Sequence, residues 1–394
     1  MISQRKNNTI QISQEAYGTL ILIQNQIFGK FTRLMDEHEA GIVKKTGYFG
    51  KNPMPYAFTF APFGKRNQET INNAKPGDKI DILKDGVVVG HIITGSTFKL
   101  KKEDVGISIF AAKNISLNDN ILAGEMAISG EFEIYDTTLR DIKNKVHTLI
   151  KEKHIKKITA MTLTADPFHR LHERLVRMTI DKADMTIIFL IRTFDSDKRL
   201  SFDLRKKTLE YFRDNFLPMD RVVIVPFENT YLFSDHINPV LECITAKNFG
   251  ATKLVVGQNH AGIGMFFNDN QANTVLDKYA KELDLELIVV PEYIYCNQCR
   301  TIVSTKTCPH GQHHHIKYHA NTLNTLLFEG IMPPAILMRK EISAIILNEL
   351  FPNRFSNLQK IYDDLFPNLG ILEKHGQTEF YEELMKLYQT TSLT

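Results

Sequence analysis

Two histidines three residues apart offer the clearest chemistry in this chain. His169 and His172 follow a strand-like apolar run, Ile158–Leu163, and a polar corner, Thr164–Pro167. Residues three apart share one face of a helix, so both imidazoles can point the same way. The start of a helix also offers unpaired N–H groups and a positive dipole end to a phosphate. The pattern therefore predicts a site for nucleotide phosphates, the alternative being two surface histidines that lie together by chance.

A second motif follows another strand-like run, Lys253–Val256. It comprises Gly257, Gln258, Asn259, His260, Ala261 and Gly262. Glycines at such a position let the backbone approach a ligand closely, and the alternative is a plain glycine turn. Both motifs follow strands, and open α/β sheets bind ligands outside the carboxyl ends of their strands. We therefore expect them to serve one nucleotide site.

Three of the four cysteines, Cys296, Cys299 and Cys308, lie within thirteen residues. This clustering favours tetrahedral zinc in a reducing compartment over a disulfide framework. The alternatives are three unrelated buried cysteines or a redox-active pair. The candidates for a fourth ligand are His310, His313, His314 and His315. His310 is only two residues from Cys308, so we favour His313, and four filled positions predict a structural zinc.

The elements that must position these motifs alternate from about Thr137 onwards. The strand-like runs are Ile158–Leu163, Met185–Ile191, Arg221–Val225, Lys253–Val256 and Leu287–Val290. The helical runs between them are His169–Ala183, Asp203–Phe216, His236–Asn248 and Gln271–Leu283. This alternation predicts an α/β fold with a doubly wound parallel sheet and right-handed crossovers.

The residues on either side of this α/β region have other patterns. A helical segment, Ala16–Asp36, is followed by short strand-like pieces that indicate a small β barrel or sandwich. Asp85-Gly86 between alternating apolar residues predicts a hairpin. Other short pieces are Thr97–Leu100, Ser108–Ala111 and Gly130–Ile134. From about Pro333 the chain is helical and amphipathic, which suggests a small cap or a contact between copies in a homo-oligomer.

Composition sets the broad class of the protein. The 394 residues suffice for two or three domains, and a net charge of +3 gives no case for a nucleic-acid surface. No apolar run is long enough to span a membrane, and the first residues lack the apolar segment of a signal peptide. We therefore expect a cytoplasmic protein without a membrane or nucleic-acid partner.

These motifs together resemble the ATP sulfurylase (sulfate adenylyltransferase) family along nearly the whole chain. Residues 163–172 are similar to its motif Gln-x-Arg-Asn-Pro-x-His-x-x-His, and Gly257–Gly262 is similar to Gly-Arg-Asp-His-Ala-Gly. Tyr295–His310 resembles the zinc segment of the shorter bacterial members. Leu326–Glu341 resembles the stretch that follows it.

The resemblance implies a domain order. It implies a PUA-like β domain at 1–150 and a Rossmann-like nucleotidyltransferase domain at 151–330, with the zinc segment at 295–315. A small helical C-terminal domain would occupy 331–394. These boundaries are expectations taken from the family.

The resemblance also implies a reaction. ATP, with Mg²⁺, would bind over the histidine motif, and an acceptor oxygen would attack the α-phosphorus as pyrophosphate leaves. His169, His172 and Arg170 would be catalytic. The nucleotide would be bound by Asp166, Pro167, Phe168, Gly257, Gln258, Asn259, His260, Ala261 and Gly262. Positioning and charge stabilisation would supply most of the rate.

The departures from the family fall on its sulfate-binding positions. Leu163 and Ala165 stand where the family has a glutamine and an arginine that grip sulfate. Gln258 and Leu232 replace two further arginines, and Asp166 replaces an asparagine. A sulfate dianion needs fixed cationic donors, which leucine and alanine do not supply.

Three interpretations follow. The one we favour is a nucleotidyltransferase that acts on a small acceptor other than sulfate. The second is a genuine sulfate adenylyltransferase that binds its anion through other cations, for which the candidates are Arg170, Arg192, Lys198 and Arg205. The third is a nucleotide-binding paralogue without catalytic activity.

Overall fold

The computed structural model describes residues 8–101, 123–193, 199–236, 238–257, 266–268, 271–273, 276–366 and 373–389. Contacts divide the chain into two compact units, each made of three segments. The first unit holds Met1–Thr162, Ile191–Phe194 and Val225–Ile288. The second unit holds Leu163–Leu190, Asp195–Ile224 and Val289–Thr394.

In the described residues up to 152, the chain builds a five-stranded sheet, a separate strand pair and four helices. Its strands are β1 (Thr9–Gln11), β2 (Tyr48–Phe49), β3 (Asn52–Pro53), β4 (Phe60–Pro62), β5 (Lys79–Lys84), β6 (Val87–Lys99) and β7 (Ala123–Ile134). Its helices are α1 (Gln14–Gln24), α2 (Glu37–Thr46), α3 (Lys65–Asn73) and α4 (Thr138–Glu152). The sheet has the order β1-β5-β6-β7-β4, and β2 and β3 pair separately.

The hairpin expected from Asp85-Gly86 is confirmed. Strands β5 and β6 are antiparallel, and Lys84 pairs with Val87 across the turn. Asp85 has φ of 51° and Gly86 has φ of 80°. Positive φ at both central residues is the requirement of the type I′ turn that matches the twist of a hairpin.

The α/β region follows from β8 onwards. Its strands are β8 (Ile158–Leu163), β9 (Met185–Ile191), β10 (Val222–Phe227), β11 (Lys253–Gly257), β12 (Phe266–Asn268), β13 (Gln271–Asn273) and β14 (Glu286–Val290). Its helices are α5 (Arg170–Ile180), α6 (Phe202–Phe216), α7 (Pro239–Asn248) and α8 (Asp277–Glu282). The main sheet has the order β10-β9-β8-β11-β14, and β12 pairs with β13.

This strand order is 3-2-1-4-5 in order of appearance, as in Rossmann-like folds. Strands β8 and β11 are parallel neighbours, with Leu254 opposite Ala160. Every residue of β8 and β9 is buried, as expected for strands covered on both faces. The order reverses between β8 and β11, which is the point where such sheets bind their ligands.

The described residues from 293 onwards form a small sheet and four helices. Its strands are β15 (Tyr293–Cys296), β16 (Thr301–Ser304) and β17 (His315–Ile316), in the order β16-β15-β17. Its helices are α9 (Ala320–Phe328), α10 (Lys340–Leu350), α11 (Leu358–Leu365) and α12 (Gln377–Gln389). None of the helices among the described residues is long and apolar enough to cross a membrane.

Two expected helices differ from the structure. The segment Ala16–Asp36 is not one helix, because α1 ends at Gln24 and Gln26 has φ of 56°. A separate helix begins after Asp36, whose side chain forms a capping box with Glu39. The expected helix Gln271–Leu283 is also shorter, because residues 271–273 pair as a strand.

Other expectations about the fold remain predictions. Ser108–Ala111 lies outside the described residues. The PUA-like character of residues 1–150 and the three domain boundaries also remain predictions.

Candidate functional site

The histidine corner, by which we mean Thr164–His172, connects β8 to α5 in the second unit. Ala165 is in the left-handed region, with φ of 51°, and the Asp166–Pro167 bond is cis. Phe168 is buried and its ring lies 4.8 Å from that of Phe212 in α6. The corner therefore has an apolar anchor just before the two histidines.

The two imidazoles lie together at the start of α5. His169 is the N-cap residue, and its backbone N–H donates to Nδ1 of His172 over 3.3 Å. Their rings stack with centroids 3.8 Å apart. His169 is 6% exposed, and its Nδ1 has no hydrogen-bond partner among the described residues. An unpaired buried nitrogen at a helix N-terminus is a polar group that a bound ligand or a water would satisfy.

Burial keeps both imidazoles neutral at physiological pH. It lowers the pKa of His169 well below its usual value, and the neighbouring His172 lowers it further. Burial also lowers the pKa of His172 to about 4. A neutral imidazole has one N–H to donate and one nitrogen that accepts. A bound polyphosphate would favour the protonated form, because an opposite charge nearby raises the pKa of a histidine.

Asp166, expected to bind nucleotide, braces the corner. Its Oδ1 accepts hydrogen bonds from the Leu200 N–H at 3.0 Å and from Nδ2 of Asn324 at 3.1 Å. Its Oδ2 lies 3.9 Å from Arg199. The negative charge of Asp166 is thus partly compensated by two N–H donors and a nearby guanidinium.

Arg170, expected to be catalytic, is held by neighbouring groups. Its guanidinium pairs with Glu173 at 3.0 Å and donates to the Ala335 carbonyl at 3.1 Å. Its backbone N–H donates to the Leu337 carbonyl at 2.9 Å. These contacts tie the start of α5 to the segment that precedes α10.

Sequence reasoning missed Glu173, which is 7% exposed. It forms a two-point ion pair with Arg339, with Oε2 2.8 Å from Nε, and also contacts Arg177. Burial acts to raise its pKa, but the hydrogen bonds and charges of Arg339 and Arg170 outweigh that effect and hold the pKa below its usual value. The sequence did contain a signal for this buried ion pair, because Glu173 lies on the apolar face of a helix that also carries three arginines.

The substituted positions of the corner are apolar and buried. Leu163 is 6% exposed and Ala165 is fully buried. Arg205, one alternative anion ligand, is buried and donates to the Thr164 carbonyl at 2.7 Å. The guanidinium groups of Arg170 and Arg205 are thus engaged in holding the corner.

Other expected site residues belong to the first unit or lie outside the described part of the chain. Gly257 ends β11. Gln258, Asn259, His260, Ala261 and Gly262 lie outside the described residues, as does Lys198. In the first unit, Leu232 is buried and the Arg192 guanidinium lies 4.5 Å from the centroid of the Tyr231 ring.

A group of soft ligands lies at the end of β15 in the second unit. The donor atoms of Cys296, Cys299, Cys308 and His310 all lie within 4.8 Å of one another. We call these four residues the Cys3His knuckle. Nδ1 of His310 lies 3.5, 3.2 and 3.7 Å from the three sulfur atoms in that order. The cysteines are free thiols, as expected for a metal site.

The choice of His313 as the fourth ligand is corrected by this geometry. The His313 ring lies against Gly311, so closely that a Cβ at Gly311 would be 2.8 Å from it, and its centroid lies 4.0 Å from that of the His314 ring in a tilted contact. The turn after Cys308 brings His310 back to the sulfur atoms despite its short spacing. His315 adds a contact that the sequence did not suggest, with Nε2 3.3 Å from Sγ of Cys308.

The knuckle fits a tetrahedral metal ion. Zinc–sulfur bonds of about 2.3 Å place the sulfur atoms of a tetrahedral site about 3.8 Å apart. Sγ of Cys299 lies 3.9 Å from Sγ of Cys308. Three thiolates and one imidazole are also a common donor set for structural zinc.

The strand order and the polar corner define the class of protein, an α/β protein with a Rossmann-like nucleotide-binding fold. A solved structure supports this class, the hexameric APS kinase from Thiobacillus denitrificans, with a TM-score of 0.62 and 14% identity. That match covers 89% of this chain and 64% of the solved chain. At this identity the likeness concerns the fold alone.

The family follows from sequence comparison. The model of the ATP-sulfurylase family matches residues 137–349, more than half of the chain, which therefore belongs to that family. A sulfate adenylyltransferase of Psychrobacter sp. (strain PRwf-1) is 25% identical over 72% of this chain and 70% of its own length. The sulfate adenylyltransferase of Carboxydothermus hydrogenoformans is 26% identical over 56% of this chain and 60% of its own length. The one of Persephonella marina is 27% identical over 71% of this chain and 76% of its own length. Sulfate adenylyltransferases are nucleotidyltransferases, so the chain belongs to a family of enzymes of this class.

Proposed function

We propose that the protein transfers a nucleotidyl group from a nucleoside triphosphate, ATP in the first instance, to a small acceptor other than sulfate. An acceptor oxygen attacks the α-phosphorus, the bond from that phosphorus to the bridging oxygen breaks, and pyrophosphate leaves. Mg²⁺ accompanies the triphosphate and offsets its charge. The observation that carries the proposal is the stacked pair of imidazoles at the N-terminus of α5, in which His169 is buried and His172 is half-buried.

In this proposal His169 and His172 bind the phosphates. Each neutral ring donates one N–H, and the first turn of α5 adds backbone donors and a positive dipole end. Charge that develops on the leaving pyrophosphate is stabilised by these fixed donors. Phe168 and Pro167 shape the corner, and Asp166 and Arg170 support it through the contacts they already make.

The nature of the acceptor rests on the substituted positions. Leu163 and Ala165 offer no charge where the family has a glutamine and an arginine, and both are buried. Arg170 and Arg205 are engaged by carboxylate or carbonyl groups. Each lost charge-assisted contact costs roughly 1.5–3 kcal/mol, so sulfate binding without replacement cations should be weak.

We further propose that the knuckle holds one structural zinc ion through Cys296, Cys299, Cys308 and His310. The residues of the second motif, Gly257–Gly262, are proposed to contact the nucleotide. The division into a PUA-like domain, a nucleotidyltransferase domain and a helical C-terminal domain is kept as part of the same proposal.

A second candidate function is sulfate adenylyltransferase activity itself. It is supported by the names of the relatives, all of which are sulfate adenylyltransferases. A third is nucleotide binding without catalysis, which the lost arginines leave open.

The test is pyrophosphate release from ATP with sulfate, with molybdate and without either anion. We expect no release that depends on either anion, together with clear binding of ATP. Sulfate-dependent turnover at the ordinary rates of enzymes would overturn the proposed acceptor and support the second candidate. Screening neutral and cationic acceptors for pyrophosphate release then separates the first candidate from the third.

Binding is tested with His172→Ala, and His375→Ala serves as a matched control because His375 stacks on Tyr362 in another part of the second unit. His172→Ala should weaken triphosphate binding more than adenosine binding, whereas His375→Ala should change neither. Equal losses for both ligands in His172→Ala would contradict a phosphate contact.

A further inference from the structure

The knuckle and the histidine corner are joined by a small number of side chains, all of them in the second unit. Cys296 is the last residue of β15 and pairs with Thr301 on one side and His315 on the other. The backbone N–H of Asn297 also donates to the His314 carbonyl at 2.9 Å. Cys296 thus lies at the end of the central strand of a three-stranded sheet. When the four knuckle residues are held together, the adjoining ends of β15 and β17 are held in place as well.

Each of these two strands leads to an aromatic ring that contacts α5 or its N-cap. Tyr293 begins β15, and the Arg174 guanidinium lies 5.5 Å from its ring centroid. Tyr318 comes two residues after the end of β17, and its ring lies 5.2 Å from that of His169. The Tyr318 hydroxyl donates to the Ile336 carbonyl at 3.1 Å, which fixes the outer end of the ring.

His169 depends on such contacts for its orientation. Nδ1 has no hydrogen-bond partner among the described residues, so a hydrogen bond at that nitrogen does not set the ring. The His169 ring stacks on His172 and makes a tilted contact with Tyr318. His172 accepts a hydrogen bond from the backbone of His169 and stacks on Phe168, both within the same corner, whereas Tyr318 reaches His169 from the segment after β17.

We propose that Tyr318 is a positioning residue that couples the knuckle to the imidazole pair. When the four metal ligands are gathered, β17 holds Tyr318 against His169 and the imidazoles keep the arrangement that receives phosphate. When the knuckle loosens, His169 loses this support and phosphate binding weakens. The inference rests on the proposed nucleotide site for its ligand, while the coupling itself concerns only residues of this chain.

The test compares Tyr318→Leu with Tyr318→Phe in the full-length protein. An aromatic contact of this kind is worth roughly a 2- to 10-fold change in binding. Tyr318→Leu should therefore weaken the binding of a non-hydrolysable ATP analogue by that factor and leave adenosine binding little changed. Tyr318→Phe keeps the ring and should restore most of the affinity. Tyr362→Leu is the matched control, because it removes a tyrosine–histidine stack that is remote in sequence, with centroids 3.8 Å apart.

Coupling is shown by a double-mutant cycle with the knuckle. Cys299→Ser should weaken binding of the analogue in the wild-type background and weaken it no further in the Tyr318→Leu background. The proposal is overturned if the affinity losses of the two single variants multiply in the double variant. It is also overturned if Tyr318→Leu binds the analogue with wild-type affinity. If Cys299→Ser does not fold, removal of the metal by a chelator from folded protein replaces it.

A second readout separates this inference from the proposed function. Imidazole ¹H–¹⁵N spectra report on His169 without any ligand, and His169→Gln assigns its signals. Tyr318→Leu and metal removal should shift the same His169 signals, and Tyr362→Leu should not. If the wild-type protein binds no triphosphate, the proposed function fails. The coupling between the knuckle and His169 is then still tested by whether Tyr318→Leu and metal removal shift the same His169 signals. Unchanged His169 signals in both cases would reject it.

Discussion

The Cys3His knuckle and the histidine corner are polar sites in the same unit, yet they are assembled from very different ranges of sequence. The four donors of the knuckle lie between Cys296 and His310, and the two turns on either side of β16 bring them together. The corner depends on contacts between residues that are far apart. Asn324 reaches Asp166 across 158 positions, and Arg339 reaches Glu173 across 166.

This difference explains why the spacing of residues in the sequence predicts the metal site better than it predicts the contacts of the corner. A metal knuckle needs a few soft ligands close in sequence, and its free energy comes mainly from the ion. The corner needs buried carboxylates and arginines whose partners the sequence does not indicate. The knuckle should therefore respond to loss of metal, and the corner to loss of single distant contacts.

The largest effect is expected at the knuckle. Cys299→Ser should abolish stoichiometric zinc and produce the greatest drop in the thermal midpoint, because zinc binding supplies folding free energy. His310→Ala should reduce the zinc content, whereas His313→Ala should retain one ion per chain. Metal analysis of protein purified without a histidine tag measures this. Zinc loss in His313→Ala, with retention in His310→Ala, would reverse the assignment.

The next largest effect is expected at Glu173. Removing one partner of a buried ion pair leaves charges uncompensated, so Glu173→Ala should lower the free energy of unfolding by about 3 kcal/mol. The matched control is Glu349→Ala, which breaks an exposed pair with Lys207 and should cost under about 1 kcal/mol. Urea unfolding measures both. Equal small losses would show that the Glu173 cluster does not hold the corner.

The imidazole pair should make stability depend on pH. Because the folded pKa of His172, about 4, lies below the usual 6.5, the unfolded chain takes up protons first as the pH falls. Stability from this residue is complete above pH 6.5 and is lost between 6.5 and about 4, by roughly 1–3 kcal/mol. His172→Gln preserves the cap, since glutamine at N3 reaches the N-cap N–H, and should flatten the dependence. An unchanged slope between these pH values would contradict the lowered pKa of His172.

The smallest effect is expected for Asp166→Asn. Asparagine retains an oxygen that accepts from the Leu200 N–H, so the change should cost under about 1 kcal/mol. Asp166→Ala leaves that buried N–H unpaired and should cost about 1–3 kcal/mol. Thermal unfolding of the two variants distinguishes them. A large loss in Asp166→Asn would give the negative charge itself, through Arg199, a role in stability.

Local patterns predicted the elements of the α/β region well. The bounds of β8 and β9 agree with the expected runs, because continuous apolar runs mark strands that are buried on both faces. The hairpin at Asp85-Gly86 agrees because its turn chemistry is local. The α1 helix was predicted too long, since the capping box of Asp36 and Glu39, a signal for a new helix, was overlooked.

The details of the site were predicted less well, because they depend on tertiary contacts. Spacing placed the histidines correctly at the start of α5, but it assigned Arg170 to chemistry without showing that Glu173 and Ala335 engage it. It likewise chose His313 over His310, because a count of intervening residues does not show the path of a turn. Both points depend on where a side chain points after the fold has formed; the catalytic role of Arg170 stays a prediction.

Ala165 limits which side chains its position can hold. It is fully buried in a left-handed backbone conformation and is followed by Asp166, whose carboxylate holds the next loop. A guanidinium introduced at this position would have to displace the groups that enclose the methyl. A single substitution therefore does not place an anion-binding arginine here. Any long cationic side chain at this position would require the corner to be repacked, so several residues would have to change together.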